Sequence, residues 1–262
     1  MNIIQLTDLH LCQNGEKAFL QADATQTLKD TVEYFLNSTL KIDMIVISGD
    51  ISTDGSMDSY QSVLHELNRL PYPVYYVPGN HDCREYMQEV GMLPRGSDYS
   101  TCRLVETPEA SIILVDTLKE GESRGFVGEE CLAQLSVLLN KDLQKPTFLF
   151  MHHVPFATGF TVMDEPFDGV EKLHALIEGK ALTVCCGHIH AGMVTRIGSS
   201  NVITCPPICM DMELDLSPTG GDMFYTAEPQ FMLHCVKDQQ VISHFATVPT
   251  GESRKGPYTF SV

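Results

Sequence analysis

Met44-Ile45-Val46-Ile47-Ser48-Gly49-Asp50 decides the fold: an unbroken apolar run rich in β-branched residues leads directly into a glycine and a carboxylate. A strand that is apolar at every position, not every second one, is buried on both faces, the signature of a parallel sheet covered by helices. Gly49 lets the backbone turn closely past whatever Asp50 holds. The same arrangement recurs. Ile3-Ile4-Gln5-Leu6 precedes Asp8-Leu9-His10, and Val74-Tyr75-Tyr76-Val77 precedes Gly79-Asn80-His81-Asp82. Phe148-Leu149-Phe150-Met151 precedes His152-His153, and Leu182-Thr183-Val184-Cys185-Cys186 precedes Gly187-His188-Ile189-His190. Side chains of metal-ligating type are therefore expected to crowd one edge of a sheet, where its strands end.

Helix-length segments separate these runs: Ala24 to Leu40, Ser59 to Leu70, Arg84 to Val90, Glu129 to Asn140 and Val170 to Ile177. Such alternation predicts an α/β protein with parallel pairing and helices packed outside. Ser111 to Val115 is a further strand without a ligand motif. After Gly192 come shorter strands that read as antiparallel, Met193 to Ile197, Val202 to Cys205, Phe231 to Val236 and Val241 to Ala246, with turn residues between them. A second sheet packed on the first gives a four-layer α/β/β/α sandwich of two mixed β-sheets flanked by helices, in a single domain over residues 1–262. Pro206 to Pro229, rich in Pro, Gly, Met and Asp, reads as a lid, an oligomer contact or an irregular surface loop. The tail from Pro249 to Val262 reads either as an extended, subunit-crossing segment or as an ordinary frayed end.

Lys+Arg 17 against Asp+Glu 34 leaves a formal charge of -17, which opposes non-specific attraction to nucleic acid or anionic lipid. The first residues lack a basic segment followed by an apolar one, so no secretory signal is expected, and no apolar stretch is long enough to span a bilayer. Nine scattered cysteines with no CxxC pair argue against a disulfide framework and for a reducing, cytoplasmic location. Cys185-Cys186, inside an apolar run, reads as a pair of buried small hydrophobes.

The residue types after the strands specify chemistry. Asp8 and His10 alternate around Leu9, so a strand continuing this far would project both to one side, where they could chelate one metal. Asp50 has two carboxylate oxygens and suits a bridge between cations. Asn80 offers a neutral amide oxygen, and His152, His188 and His190 offer imidazole nitrogens. Mixed oxygen and nitrogen ligation accommodates Mn, Fe, Co or Zn more naturally than Mg or Ca.

The full, ordered set D-x-H, G-D, G-N-H-D, H and G-H-x-H resembles the calcineurin-like metallophosphoesterase superfamily, over the stretch from Asp8 to His190. The resemblance implies the same four-layer sandwich and two divalent metal ions. Asp8, His10, Asp50 and His190 would hold one, and Asp50, Asn80, His152 and His188 the other. It makes Asn80 and His81 substrate-binding residues and Asp50 and His81 catalytic ones, with His81 acting at the phosphate or leaving oxygen; the alternative for His81 is a supporting role through Asp82. His153 could line the pocket or face away from it. Two divalent cations against two carboxylates leave a positive site that a bridging hydroxide lowers and a phosphodiester monoanion neutralises. Paired metals about 3.5–4 Å apart can clamp the phosphoryl oxygens for direct attack by that hydroxide.

Within the superfamily, protein phosphatases carry G-D-x-V-D-R-G, whose Arg grips a phosphate dianion. Here the segment is Gly49-Asp50-Ile51-Ser52-Thr53-Asp54-Gly55, with Thr53 in place of the second Asp and Asp54 where the Arg would stand, an acid that would face and repel a phosphomonoester. The surrounding segments are most similar to class III cyclic nucleotide phosphodiesterases and glycerophosphodiester phosphodiesterases. That resemblance implies hydrolysis of small phosphodiesters, such as cAMP or glycerophosphodiesters, by a homo-oligomer. The alternatives are a superfamily nuclease, a nucleotide-sugar-lipid pyrophosphohydrolase, or a non-catalytic scaffold of the same fold.

Overall fold

The structure is a computed structural model that describes residues 1–141, 144–164, 167–218 and 220–260. Along the chain come β1 (Asn2–Leu6), α1 (Ala24–Asn37), β2 (Met44–Ser48), α2 (Met57–Leu67), β3 (Val74–Val77), α3 (Arg84–Glu89), β4 (Cys102–Glu106), β5 (Ser111–Val115) and α4 (Glu129–Leu139). Then follow β6 (Thr147–Phe150), α5 (Val170–Ile177), β7 (Leu182–Cys186), β8 (Met193–Ile197), β9 (Ser200–Thr204), β10 (Asp211–Met212), β11 (Met223–Thr226), β12 (Gln230–Lys237), β13 (Gln240–Thr247) and β14 (Lys255–Thr259).

The motif-bearing strands divide between two sheets and do not share one edge. One sheet has the order β13-β12-β1-β2-β3, the other β4-β5-β6-β7-β9-β8. Within each, the motif strands pair in parallel, β1 with β2 and β2 with β3, then β6 with β7. The four late strands read from the sequence build no sheet of their own either. β9 pairs in parallel with β7 and β8 returns antiparallel to β9, whereas the β12–β13 hairpin joins the first sheet beside β1. An apolar run announces burial on both faces but carries no address for the sheet that receives it.

Strand alternation distributes the core into layers. Ile3, Val46 and Val77 of the first sheet meet Ile112, Leu114, Phe148, Phe150 and Cys185 of the second in the layer between them. The opposite faces pack on helices. Ile4, Leu6, Ile45 and Ile47 lie against Leu28, Val32 and Phe35 of α1 and Tyr60, Val63 and Leu67 of α2. Leu149 and Val184 lie against Leu132 and Leu135 of α4 and Leu173 and Ile177 of α5. Burying each of these side chains contributes about 1.5–3 kcal/mol, and the four-layer α/β/β/α arrangement follows. The first two helices start on side-chain caps, with Asp23 and Ser56 accepting from the backbone N–H groups of Gln26 and Ser59.

A polar link crosses the apolar interlayer just behind the strand ends. Gln5 Nε2 donates to Ser48 Oγ at 2.8 Å within its own sheet and to the Cys186 carbonyl of the other sheet at 3.0 Å. His234 completes it, with Nε2 3.1 Å from Gln5 Oε1 and Nδ1 2.8 Å from Ser243 Oγ.

A small third sheet, β10-β11-β14, comes from the 206–229 segment and the tail. β14 pairs antiparallel with β11 of the same chain, Phe224 opposite Tyr258, so the tail folds back on its own domain. Thr219 of the first segment and residues 261–262 of the tail lie outside the described residues.

Candidate metal centre

β1 stops at Leu6, and Asp8 and His10 do not continue it as an extended strand. Both adopt left-handed backbone, φ 54° and 52°. Contact with the second strand persists, because Asp8, His10 and Leu11 N–H groups donate to the Gly49, Asp50 and Ile51 carbonyls. Asp50 (φ 48°), His188 (φ 72°) and His190 (φ 54°) share this conformation. Each such residue costs roughly 1 kcal/mol or more, and Asp and His are among the side chains that bear it best. Three glycines clear the space between. A Cβ on Gly49 would meet the His152 ring at 2.4 Å, on Gly79 the Asp50 carboxylate at 2.2 Å, and on Gly187 the Thr7 hydroxyl at 2.0 Å.

The seven residues singled out as ligands converge from both sheets. His190 Nε2 lies 3.4 Å from Asp8 Oδ1 and 3.1 Å from His10 Nε2. Asp50 Oδ2 lies 3.7 Å from His10 Nε2 and 3.3 Å from His152 Nε2, and His152 Nε2 lies 3.2 Å from Asn80 Oδ1. His188 packs beside His152, ring centroids 5.1 Å apart, and its backbone N–H donates to Asp8 Oδ2 at 3.1 Å.

The donor set fits cations on three counts. His152 Nδ1 is 2.8 Å from the Ser48 carbonyl and His190 Nδ1 is 2.8 Å from the Met210 carbonyl. A carbonyl can only accept, so these nitrogens carry the protons and Nε2 faces the cluster, the orientation that ligating imidazoles need. The Nε2 atoms of His10 and His190 converge to 3.1 Å beside Asp8 Oδ1, so that one cation could take both nitrogens and the carboxylate. Asp8 is fully buried, yet its Oδ1 has no hydrogen-bond partner among the described residues. A buried orphan acceptor costs about 1–3 kcal/mol.

Electrostatics point the same way. Burial pushes His10 and His188 down to about 3, so both rings are neutral. Burial also works against a charged His152, but the Asp50 carboxylate outweighs it and lifts the ring to about 9, and Asp8 raises His190 likewise. The carboxylates thus draw positive charge onto the groups facing them.

Other residues hold these side chains in place. Asp82 accepts from the Gly79, Ile51 and Ser52 N–H groups and from the Tyr60 hydroxyl, tying the ends of β2 and β3 together; burial and nearby Asp50 push its carboxyl above the usual range. It braces the backbone and is not bonded to His81. His81 donates from its backbone to Asp50 Oδ1 at 2.9 Å, and its Nδ1, 3.0 Å from the Thr53 carbonyl, donates there. That leaves Nε2 for the cavity the ring lines. His153 is buried beside His188, ring centroids 4.8 Å apart, with Nδ1 2.8 Å from Thr117 Oγ1 and Nε2 3.1 Å from the Ser123 carbonyl. Asp54 does not meet the cavity. Its carboxylate accepts from Gln13 and Ser56 N–H groups and from the Ser52 and Ser59 hydroxyls, so it shapes the loop after β2.

A cavity of ≈ 450 Å³ covers the cluster, lined by His10, Asp50, Asn80, His81, His188 and His190 together with Phe19, Ser123, Asp222 and Phe260. The last four carry no motif, and only the fold brings them here. Phe260 reaches the site because β14 pairs with β11, and its ring lies 5.2 Å from Phe19 and 5.8 Å from His190.

Residues 1–192 match the family model described as calcineurin-like phosphoesterase. The chain is 29% identical to a probable glycerophosphodiester phosphodiesterase, GpdQ, of Arcobacter nitrofigilis, over 99% of this chain and 97% of that one. It is 26% identical to the 3',5'-cyclic adenosine monophosphate phosphodiesterase CpdA of Vibrio vulnificus, over 81% and 78% of the two chains. In fold it is similar to the purple acid phosphatase PPD1 of yellow lupin, with a TM-score of 0.67 and 12% identity, over 99% of this chain and 52% of that larger one. With the motifs gathered at the joint end of two sheets and the family match spanning all of them, the chain belongs to the calcineurin-like phosphoesterase family.

Proposed function

We propose that the protein is a dinuclear metal-dependent phosphodiesterase acting on small diesters, 3',5'-cyclic nucleotides or glycerophosphodiesters. The observation that carries this reading is Asp50, whose Oδ2 lies within 4 Å of both His10 Nε2 and His152 Nε2, one carboxylate between two nitrogen clusters. Asp8, His10, Asp50 and His190 would hold one divalent ion, and Asp50, Asn80, His152 and His188 the other. When bound, Mn, Fe, Co or Zn would supply Lewis acidity and a water ionised near neutral pH.

The protein's own groups do the positioning. The His81 N–H fixes Asp50 Oδ1 and so sets the direction of Oδ2. The Ser48 and Met210 carbonyls fix the rings of His152 and His190. Protonated on Nε2, His81 can bond a phosphoryl oxygen or hand its proton to the leaving alcohol. Preference for a diester rests on two supports: the relatives named above, and the absence of an Arg where phosphatases grip a dianion. Because Asp54 is bonded within its own loop, this preference needs no repelling charge in the cavity. Nine scattered cysteines with no CxxC pair suit a reducing compartment, and we place the protein in the cytoplasm.

The test is hydrolysis of bis(p-nitrophenyl) phosphate by Mn-reconstituted protein, followed by comparison of cyclic AMP, cyclic GMP and glycerophosphocholine. Asp50→Ala and His188→Ala are expected to abolish turnover. Full activity in either variant would overturn the reading.

A further inference from the structure

The cavity over the convergent side chains has a neighbour. A second hollow of ≈ 310 Å³ adjoins it, and the two share His188 and Met163. Along one stretch of chain, Ser123 lines the first hollow and its neighbour Arg124 the second. Val154, Phe156, Phe167 and Val170 give the second hollow apolar walls.

Its polar side chains are matched inside the protein. Arg124 pairs with Glu122 and, at 3.7 Å, with Asp168. His174 Nε2 lies 2.6 Å from the Pro155 carbonyl. The Asp164 carboxylate accepts from the Thr158 and Gly159 N–H groups, and both His153 nitrogens are bonded as described. Among the described residues, a polar guest here meets groups whose bonds already run to other parts of the protein, so the hollow favours an apolar group over a polar one.

We propose that this second hollow receives one alcohol arm of an open-chain phosphodiester, an aryl or alkyl group, while the other arm runs under Phe19 and Phe260. The inference rests on the phosphodiesterase reading and narrows it. Phosphorus in a diester carries two ester arms that diverge tetrahedrally, and a phosphoryl group over His188 would send one into each hollow. A cyclic nucleotide has both ester oxygens on a single ribose and extends in one direction only. Hydrolysis breaks one phosphorus–oxygen ester bond, water gives its oxygen to phosphorus and one proton to the departing alcohol, and the other arm stays on the monoester. Open diesters with one apolar arm are therefore the favoured substrates over cyclic ones.

The experiment compares diphenylphosphinate with methyl(phenyl)phosphinate on the Mn-loaded protein by calorimetry; their carbon–phosphorus bonds are not cleaved by hydrolysis. Burial of the second ring is expected to tighten binding about ten-fold or more. Ala157→Trp fills the hollow from an exposed position on its lining, and should remove that advantage while leaving the singly arylated ligand's affinity in place. Phe156→Ala, which takes away one wall, should reduce the advantage too. In turnover, Ala157→Trp should raise KM for bis(p-nitrophenyl) phosphate but not for methyl p-nitrophenyl phosphate, which has the same leaving group. Equal wild-type affinities, or equal losses for both members of each pair, would overturn the proposal while hydrolysis itself persists. No hydrolysis of any diester would instead overturn the reading on which it rests.

Discussion

Gly79→Ala separates crowding of the metal centre from every other effect of replacing a glycine. The added Cβ would lie 2.2 Å from Asp50 Oδ1 and 2.4 Å from the Asp50 backbone nitrogen. Carbon contacts relax at about 3.5 Å, so the groups must separate by about 1 Å, and a backbone atom cannot swing aside. Gly79 is not in the left-handed region, so alanine meets no conformational penalty there and should restrict the unfolded chain, which stabilises by about 0.4–1 kcal/mol. Overpacking offsets this at about 1–3 kcal/mol, leaving a folded protein of modestly reduced stability. Function is expected to fall much further, because a 1 Å displacement of a positioning group costs about 100-fold in rate. The assay is kcat/KM for bis(p-nitrophenyl) phosphate with Mn, alongside metal content and urea unfolding. Gly91→Ala is the mirror control: φ is +87° with nothing within 4 Å, so it should cost stability and spare activity. A Gly79→Ala enzyme with wild-type rate and full metal content would refute the reasoning.

Asp50→Asn keeps the side chain's shape but removes the charge shared by the two clusters; elemental analysis should show loss of at least one bound ion, with kcat lowered by about 100-fold or more. His81→Gln should keep both ions and lower kcat by about 10²–10⁴-fold with a smaller change in KM, and loss of metal in this variant would reassign His81 as a ligand. Buried His234 is held down to about 3 by desolvation. Above pH 6.5 it is neutral folded or unfolded; below, the unfolded chain gains a proton that the fold refuses until about pH 3. Its contribution to stability therefore falls by about 1.4 kcal/mol per pH unit, or about 2 kcal/mol between pH 6.5 and 5, and urea titrations of His234→Gln should lack this increment. Chelation should lower Tm and re-addition of Mn restore it, whereas an unchanged Tm would contradict ligation across both sheets.

The convergence of these side chains was legible in the sequence because Asp, Asn and His in those spacings, each after a buried strand, suit the grip of a cation. Their backbone was not. Alternation around Leu9 suggests an extended strand, whereas Asp8 and His10 reach the same place through two left-handed turns. Two packed sheets were legible, but which strands each receives was hidden, because β1 and β7 look alike as apolar runs. β4 went unread because Arg103 and Glu106 interrupt its pattern at a partly exposed edge, and β14 because Lys255, Gly256 and Pro257 carry no strand signal. Asp54 illustrates a subtler limit: its position in a motif suggests a charge facing substrate, but four hydroxyl and amide donors claim it first. Phe19, Ser123 and Phe260 are ordinary residues until tertiary structure assembles them around one cavity.

The left-handed backbone at Asp8, His10, Asp50, His188 and His190 narrows the paths open to mutation. A ligand exchange at any of them must satisfy a coordination geometry and a positive φ at once, and Cys or Glu, useful elsewhere for shifting metal preference, meets the second demand poorly. Asn80 and His152 have ordinary backbone and no such restriction. Evolutionary retuning of this centre is therefore lopsided, with one cluster nearly frozen and the other, at Asn80 and His152, left as the adjustable half.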